Sequence, residues 1–147
     1  MIEIRTFSET QKPSLQDKKQ LIDFLFQHLE NFGDPKNDIE KAVDYALKEY
    51  PSFGGFLVTA CENEEVVGVV VVNQTGMKDY IPENILVYIA AHKERRGKGI
   101  GRQLMQETIS QAKGNIALHV EPDNPARYLY EKLGFTSKYL EMRLIKE

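Results

Sequence analysis

Residues 95–102 read RRGKGIGR and run directly into QLMQETISQAK at 103–113. Three glycines, 97, 99 and 101, alternate with a lysine and an isoleucine immediately before a helical pattern. That pattern turns Ile100, Leu104, Met105, Ile109 and Ala112 inward and ends at Gly114 in the C′ position. A helix N-terminus carries unpaired N–H groups and about half a positive charge, which suits an anion. Glycine lets a ligand touch the backbone where a Cβ would stand in the way. Lys93, Arg95, Arg96, Lys98 and Arg102 crowd the same ten residues, opposed only by Glu94. Net charge over the whole chain is -3, so the positive charge is local and predicts a phosphate or pyrophosphate, not a nucleic-acid surface.

The flanking segments set the fold. ILVYIAAH at 85–92 is apolar on both faces, as a central strand is. NIALHVE at 115–121 is the next strand. Because a helix lies between the two, they should run parallel with a right-handed crossover. Upstream, MIEIRTF alternates as an opening strand. Ser14 caps a helix with Leu21, Ile22, Leu25, Phe26 and Leu29 on one face, and Gly33-Asp34-Pro35 stops it. Asn37 and Glu40 suggest a capping box for a second helix striped by Ile39, Val43, Ala46, Leu47 and Tyr50. FLVTA at 56–60 and VVGVVVV at 66–72, joined by Glu62-Asn63-Glu64-Glu65, form a hairpin. Downstream, Asn124 and Pro125 open a short helix, PARYLYEKL, closed by Gly134. KYLEMRLIK then predicts a last strand with Leu140, Met142 and Leu144 on one side. The order β-α-α-β-β-β-α-β-α-β describes an α/β domain with a mixed sheet.

Composition bounds the function. The chain has 147 residues, 41% hydrophobic and 28% charged, which fits one globular domain over 1–147 with its own core. A single cysteine, Cys61, allows no internal disulfide and points to a reducing, cytoplasmic setting. The N-terminal stretch has no signal-peptide pattern. The longest apolar run is far short of the roughly 20 residues a membrane helix needs, so no membrane association is expected. His28, His92 and His119 lack metal-ligand spacing, and no metal is expected. Neither a P-loop nor a serine-nucleophile motif is present. A dinucleotide-binding reading fails on spacing: the glycines run GxGxG, and Arg102 stands where a third glycine would fall.

Arg96-Gly97-Lys98-Gly99-Ile100-Gly101 resembles the R/Q-x-x-G-x-G/A signature of the GNAT superfamily of N-acetyltransferases. DNPARYLYEKLGF at 123–135 is similar to a second block of that family, and the order of elements fits along essentially the whole chain. The resemblance implies a GNAT-like fold, a mainly antiparallel mixed sheet with a splayed parallel strand pair and flanking helices. It implies acetyl-CoA as the acetyl donor, its pyrophosphate on the loop from Arg96 through Gly97, Lys98, Gly99, Ile100 and Gly101 to Arg102. It further implies that the pantetheine arm lies along Ile89, Ala90 and Ala91, with Asn124 on the cofactor side. Ala91-His92-Lys93 replaces the β-branched residue and proline that often precede this loop in the family.

Acetyl transfer to an amine poses two proton problems. An alkyl amine with a pKa of about 10 is roughly one part in a thousand neutral at pH 7, and the departing thiolate needs a hydrogen-bond donor. Tyr130 shares an inward stripe with Ala126, Leu129 and Leu133, and the resemblance implies a place beside the sulfur; otherwise it is a packed core tyrosine. Tyr128 projects elsewhere. For the base there are two candidates: Glu83, in phase with Ile85, Val87 and Ile89, and His119 on the parallel strand. The expected function is direct acetyl transfer from acetyl-CoA to a small-molecule amine or peptide N-terminus. The alternative is a non-catalytic acyl-CoA-binding or sensing module on the same fold. Residues 30–49 hold six acids against three lysines, which suits a cationic acceptor as well as a solvated helix face. Patterning does not determine oligomeric state; a homodimer is compatible with it.

Overall fold

The computed structural model describes residues 1–146. In order these form β1 (Ile2–Phe7), α1 (Leu15–His28), α2 (Lys36–Leu47), β2 (Gly55–Glu62) and β3 (Glu65–Gln74). β4 (Asn84–Ala91), α3 (Ile100–Gln111), β5 (Ile116–Leu118) and α4 (Ala126–Lys132) follow. The sheet order is β1-β2-β3-β4-β5, antiparallel throughout except for the parallel pair β4–β5. Val67 and Val69–Val72 of β3 are all buried, so this strand sits at the centre of the molecule. One face of the sheet packs under α1 and α2 through Leu57, Val69, Val71, Tyr88 and Ala90. The other packs under α3 and α4 through Val58, Val70, Leu86, Leu104 and Tyr130. The result is a single α/β domain with the mixed sheet that the order of segments predicts.

Local differences from the sequence reading have physical causes. Ser14 caps α1 as expected, its Oγ accepting from Asp17 N–H at 3.1 Å, but Phe26 faces solvent and Phe24 takes the inward place. Asn37 forms no capping box: Pro35 is the residue before α2, which puts Asn37 inside the first turn. Tyr50 lies beyond α2 and is exposed, its hydroxyl donating to Lys41 O at 2.8 Å. On α3, Ile109 is exposed and Thr108 is buried, its hydroxyl satisfied by Leu104 O at 2.8 Å. α3 ends at Gln111 with Ala112 as its capping residue, so Gly114 lies two residues beyond the cap. The β2–β3 turn is tighter than its four polar residues suggest: only Asn63 and Glu64 lie between the strands, both with positive φ (52° and 66°), the twist a two-residue hairpin needs.

The largest difference is at the C-terminus. Residues 138–146 form no strand, and Leu140, Met142 and Leu144 are 89%, 90% and 86% exposed. Alternation reports strand propensity, but a strand also needs a partner for its backbone groups, and among the described residues the segment has none.

β4 carries the feature that shapes the site. Opposite β3, Val71 pairs with Tyr88 and Val72 with Leu86, so Val87 is an extra, bulged residue. A bulge flips every later side chain to the other face. Leu86 therefore faces α3 and α4, whereas Tyr88 and Ala90 face α1 and α2. Pairing with β5 ends at the same place, at Leu86 opposite Leu118. β4 continues to Ala91 against β3, while β5 is already over. The two parallel strands splay at the bulge.

Candidate functional site

The glycine stretch sits at the open end of that splay. His92 N–H donates to Val67 O at 2.8 Å, and a short 3-10 turn, Lys93–Arg95, leads to the glycines. Gly97 and Gly99 have φ of +83° and +84°, which a residue with a Cβ adopts only under strain. A Cβ built on either meets nothing within 4 Å, so their bare backbone faces open space. Gly99 is also the residue before α3. The first helical bond runs from Gln103 N–H to Gly99 O at 3.0 Å, and no side chain caps the helix. The N–H groups of Ile100, Gly101 and Arg102 are therefore left for an outside acceptor. Gly101 serves differently: a Cβ there falls 3.3 Å from Leu129 Cδ2, so this glycine seats α3 against α4.

The cations divide into two sets. Arg95 pairs with Glu62 and Glu65, and Arg96 donates to His28 O at 2.8 Å and faces Glu30 at 3.5 Å. These two brace the loop against the sheet and α1. Lys93, Lys98 and Arg102 are exposed and have no ion-pair partner among the described residues. Open amides at a helix mouth with unpaired cations around them fit a pyrophosphate.

His28 and His92 brace the loop from beneath. Their rings lie 4.3 Å apart, with Phe24 4.4 Å from His28. His28 is buried, and its Nδ1 accepts from Lys93 N–H at 3.2 Å. Burial, then the neighbouring His92, Lys93 and Arg96, hold its pKa below the usual histidine value, so it stays a neutral acceptor.

Along the splay, Ile89, Ala90 and Ala91 pair with Val70, Val69 and Gly68 on one edge. Their other edge, past Leu86, has no strand beside it. Such an edge can hydrogen-bond an amide-containing arm as a strand would. Tyr130 is buried in the α3–α4 cluster that also holds Leu86, Ile89, Ala91 and Leu118. Its hydroxyl bonds to none of the described residues, and burial pushes its pKa up to about 12. Tyr128 is exposed. Asn124 Oδ1 accepts from Ala126 N–H at 2.9 Å and so holds the start of α4.

The two base candidates lie apart. Glu83 is at the far end of β4, its carboxylate accepting from Asn115 N–H at 3.1 Å. Three paired residues, 84–86, separate it from the splay, roughly 10 Å along the strand. The bulge also takes it out of phase with Ile89. His119 is exposed, one residue past the last β4–β5 pair. Sequence reasoning missed a third group on the α1–α2 face: the buried Tyr88 hydroxyl donates to Asp34 Oδ2 at 2.6 Å. Burial and that carboxylate raise the Tyr88 pKa. A helix-stop motif concealed Asp34, and an unreadable bulge concealed the orientation of Tyr88. A surface cavity of about 570 Å³ opens between the start of β2 and the end of α3, at the opposite end of the sheet. Among the described residues no cluster of side chains could hold a metal, and no helix is long and apolar enough to cross a membrane.

Residues 19–135 match the sequence profile of a family described as Acetyltransferase (GNAT). A search of curated proteins returned no match. Among solved structures, a transcriptional regulator from Bacillus halodurans C-125 superposes with a TM-score of 0.71 at 22% identity, over 99% of this chain and 100% of that one. A ribosomal-protein-alanine N-acetyltransferase from Brucella melitensis biovar Abortus 2308 gives 0.67 at 16% identity, over 99% and 100%. The aminoglycoside N-acetyltransferase AAC(6')-Iy, solved in complex with CoA, gives 0.71 at 15% identity, over 99% and 95%. At these identities the structures share the fold.

Proposed function

The chain belongs to the acetyltransferase (GNAT) family, and on that premise we propose that it transfers an acetyl group directly from acetyl-CoA to a primary amine. The observation that carries this reading is the pair Gly97 and Gly99, whose open backbone meets the uncapped start of α3 at the mouth of the splay. Acetyl-CoA supplies the acetyl group as an activated thioester. The chain's own residues have four tasks. The amides of residues 97–102 hold the pyrophosphate, and Lys93, Lys98 and Arg102 add salt-dependent attraction. The free edge of Ile89–Ala91 aligns the arm. Tyr130 donates its hydroxyl proton in a hydrogen bond to the leaving sulfur. His119, the base candidate that lies at the splay, takes the proton of the incoming ammonium.

The acceptor is a cationic amine, either a small molecule or a peptide N-terminus. Asp34, fixed by Tyr88 on the α1–α2 side, is the anion that supports a positively charged acceptor there. The lone, half-buried Cys61 suits a cytoplasmic setting. The test is an acetyl-transfer screen over diamines, monoamines, amino sugars and peptide N-termini. It reads both free CoA thiol and an acetylated product by mass spectrometry. Turnover with cationic acceptors, with lower KM for diamines than for matched monoamines, is the expected result. Tight acetyl-CoA binding with no turnover on any amine would leave an acyl-CoA-binding module instead.

A further inference from the structure

Residues 92–96 lead from β4 to the glycines, and two imidazoles fix their course. His28 Nδ1 accepts from Lys93 N–H at 3.2 Å, and His92 Nδ1 accepts from Glu94 N–H at 3.2 Å. These are successive amides of one short turn. The first is held from the end of α1, the second by the residue that leaves β4. A ring nitrogen that accepts carries no proton, so both rings are neutral with their proton on Nε2. His92 Nε2 lies 4.0 Å from Glu65 Oε1, where a carboxylate suits an N–H. The rings stand 4.3 Å apart, and Arg96 ties the far side of the turn to α1 by donating to His28 O at 2.8 Å.

We propose that His28 and His92 are positioning residues for the cofactor loop: as neutral acceptors they set its course into the glycines, and by taking up protons they release it, so that acetyl-CoA binding is switched by pH. This rests on the acetyl-CoA reading above and adds regulation at the same loop. Histidine is the side chain that ordinarily changes charge between pH 5 and 8. Protonation makes Nδ1 a donor, and a donor cannot hold an amide N–H. Each ring then loses its loop amide. The surroundings do not compensate. His28 faces His92, Lys93 and Arg96, which oppose a charge on it, and Glu30, which favours one. Glu30 already faces Arg96 at 3.5 Å, and Glu65, beside His92, faces Arg95 at 3.5 Å. Two charged rings at 4.3 Å also repel each other. For His28, burial sets the direction: the anchor is fully present above the ordinary value of about 6.5 and is lost as pH falls through the lowered one.

Two measurements on the full-length chain test this. Nitrogen-15 NMR of the imidazoles without ligand at pH 7.5 should show both rings with a bare Nδ1 and the proton on Nε2. Isothermal titration with acetyl-CoA then gives affinity at pH 7.5 and 5.5. The ligand's own phosphomonoester titrates at about pH 6, so each variant's profile is compared with the wild type's. Asparagine puts a carbonyl oxygen close to the place of Nδ1 and does not titrate. Between the two pH values, wild-type affinity should fall roughly fivefold or more beyond that of the His28→Asn, His92→Asn double variant. His92→Asn alone, at a half-buried position, should remove part of that excess. His28→Phe keeps a ring but no acceptor, and should bind about tenfold weaker at pH 7.5. Circular dichroism checks each variant's fold, and the ring assignment in the wild type needs no variant. A proton on either Nδ1 at pH 7.5, or parallel profiles for wild type and double variant, overturns the proposal alone. So does wild-type affinity that rises with acid, since the rings would then serve as cations for the phosphates. No binding of acetyl-CoA at pH 7.5 overturns the functional reading and this proposal with it.

Discussion

Tyr130→Phe removes one oxygen from a buried ring and separates packing from chemistry. The ring contacts in the α3–α4 cluster stay as they are. The hydroxyl has no partner among the described residues, so its loss breaks no internal hydrogen bond, and stability should change by less than about 0.5 kcal/mol. Catalysis should respond differently. With its pKa near 12, against about 8.5 for an ordinary thiol, the hydroxyl does not hand its proton completely to the sulfur. That transfer would run uphill by about 5 kcal/mol, at 1.36 kcal/mol per unit. Its contribution is a hydrogen bond to a developing thiolate, of the kind worth about 1.5–3 kcal/mol. This converts to a fall in kcat of roughly ten- to 150-fold. The assay is CoA thiol release at saturating acetyl-CoA and acceptor, with thermal melting and acetyl-CoA affinity measured alongside. Because the pKa is raised, wild-type kcat should show no fall from Tyr130 ionisation between pH 8 and 10. An unchanged kcat with chemistry rate-limiting, or a melting loss that accounts for the activity loss, would make Tyr130 a packing residue only.

Gly99→Ala forces a Cβ into the left-handed region at the mouth of α3; it should cost about 1 kcal/mol of stability and weaken acetyl-CoA binding more than tenfold. Lys98→Ala should cost far less, and its effect should shrink at high salt. Gly101→Ala should show mainly in melting, since its Cβ meets Leu129. For His28 the depressed pKa fixes the sign: stability is fully present above the unfolded value near 6.5 and falls as pH drops through the folded value. Melting and acetyl-CoA affinity should therefore both decline from pH 7.5 to 5.5, as protonation of Nδ1 releases Lys93 N–H. His28→Gln should flatten that decline. His119→Gln should abolish the acid limb of kcat/KM, with Glu83→Gln retaining it; the reverse pattern would return proton removal to Glu83.

How far the sequence could be read depended on whether a feature was local. Ser14, the periodicity of α3 and the strand-helix-strand order around the glycines are local, and they specify both the sheet and its parallel pair. The φ values of Gly97 and Gly99 follow from the same stretch, because little but glycine adopts that conformation freely. Three features needed the folded chain. The extra residue at Val87 is invisible in an unbroken run of apolar residues, yet it decides that Tyr88 meets Asp34 and that Glu83 loses phase with Ile89. The roles of Arg95 and Arg96 depend on Glu62, Glu65 and His28, distant in sequence, so the five cations of the loop could not be sorted in advance. KYLEMRLIK has the alternation of a strand, but alternation does not supply a partner for the backbone groups, and among the described residues the segment has none.

The most direct check is isothermal titration of the wild-type chain with acetyl-CoA, repeated with the Gly99→Ala variant and with NAD. The account predicts one acetyl-CoA per chain on the wild type, binding at least tenfold weaker on the variant, and none for NAD. Wild-type binding that survives unchanged in Gly99→Ala, or no binding of acetyl-CoA at all, would contradict it.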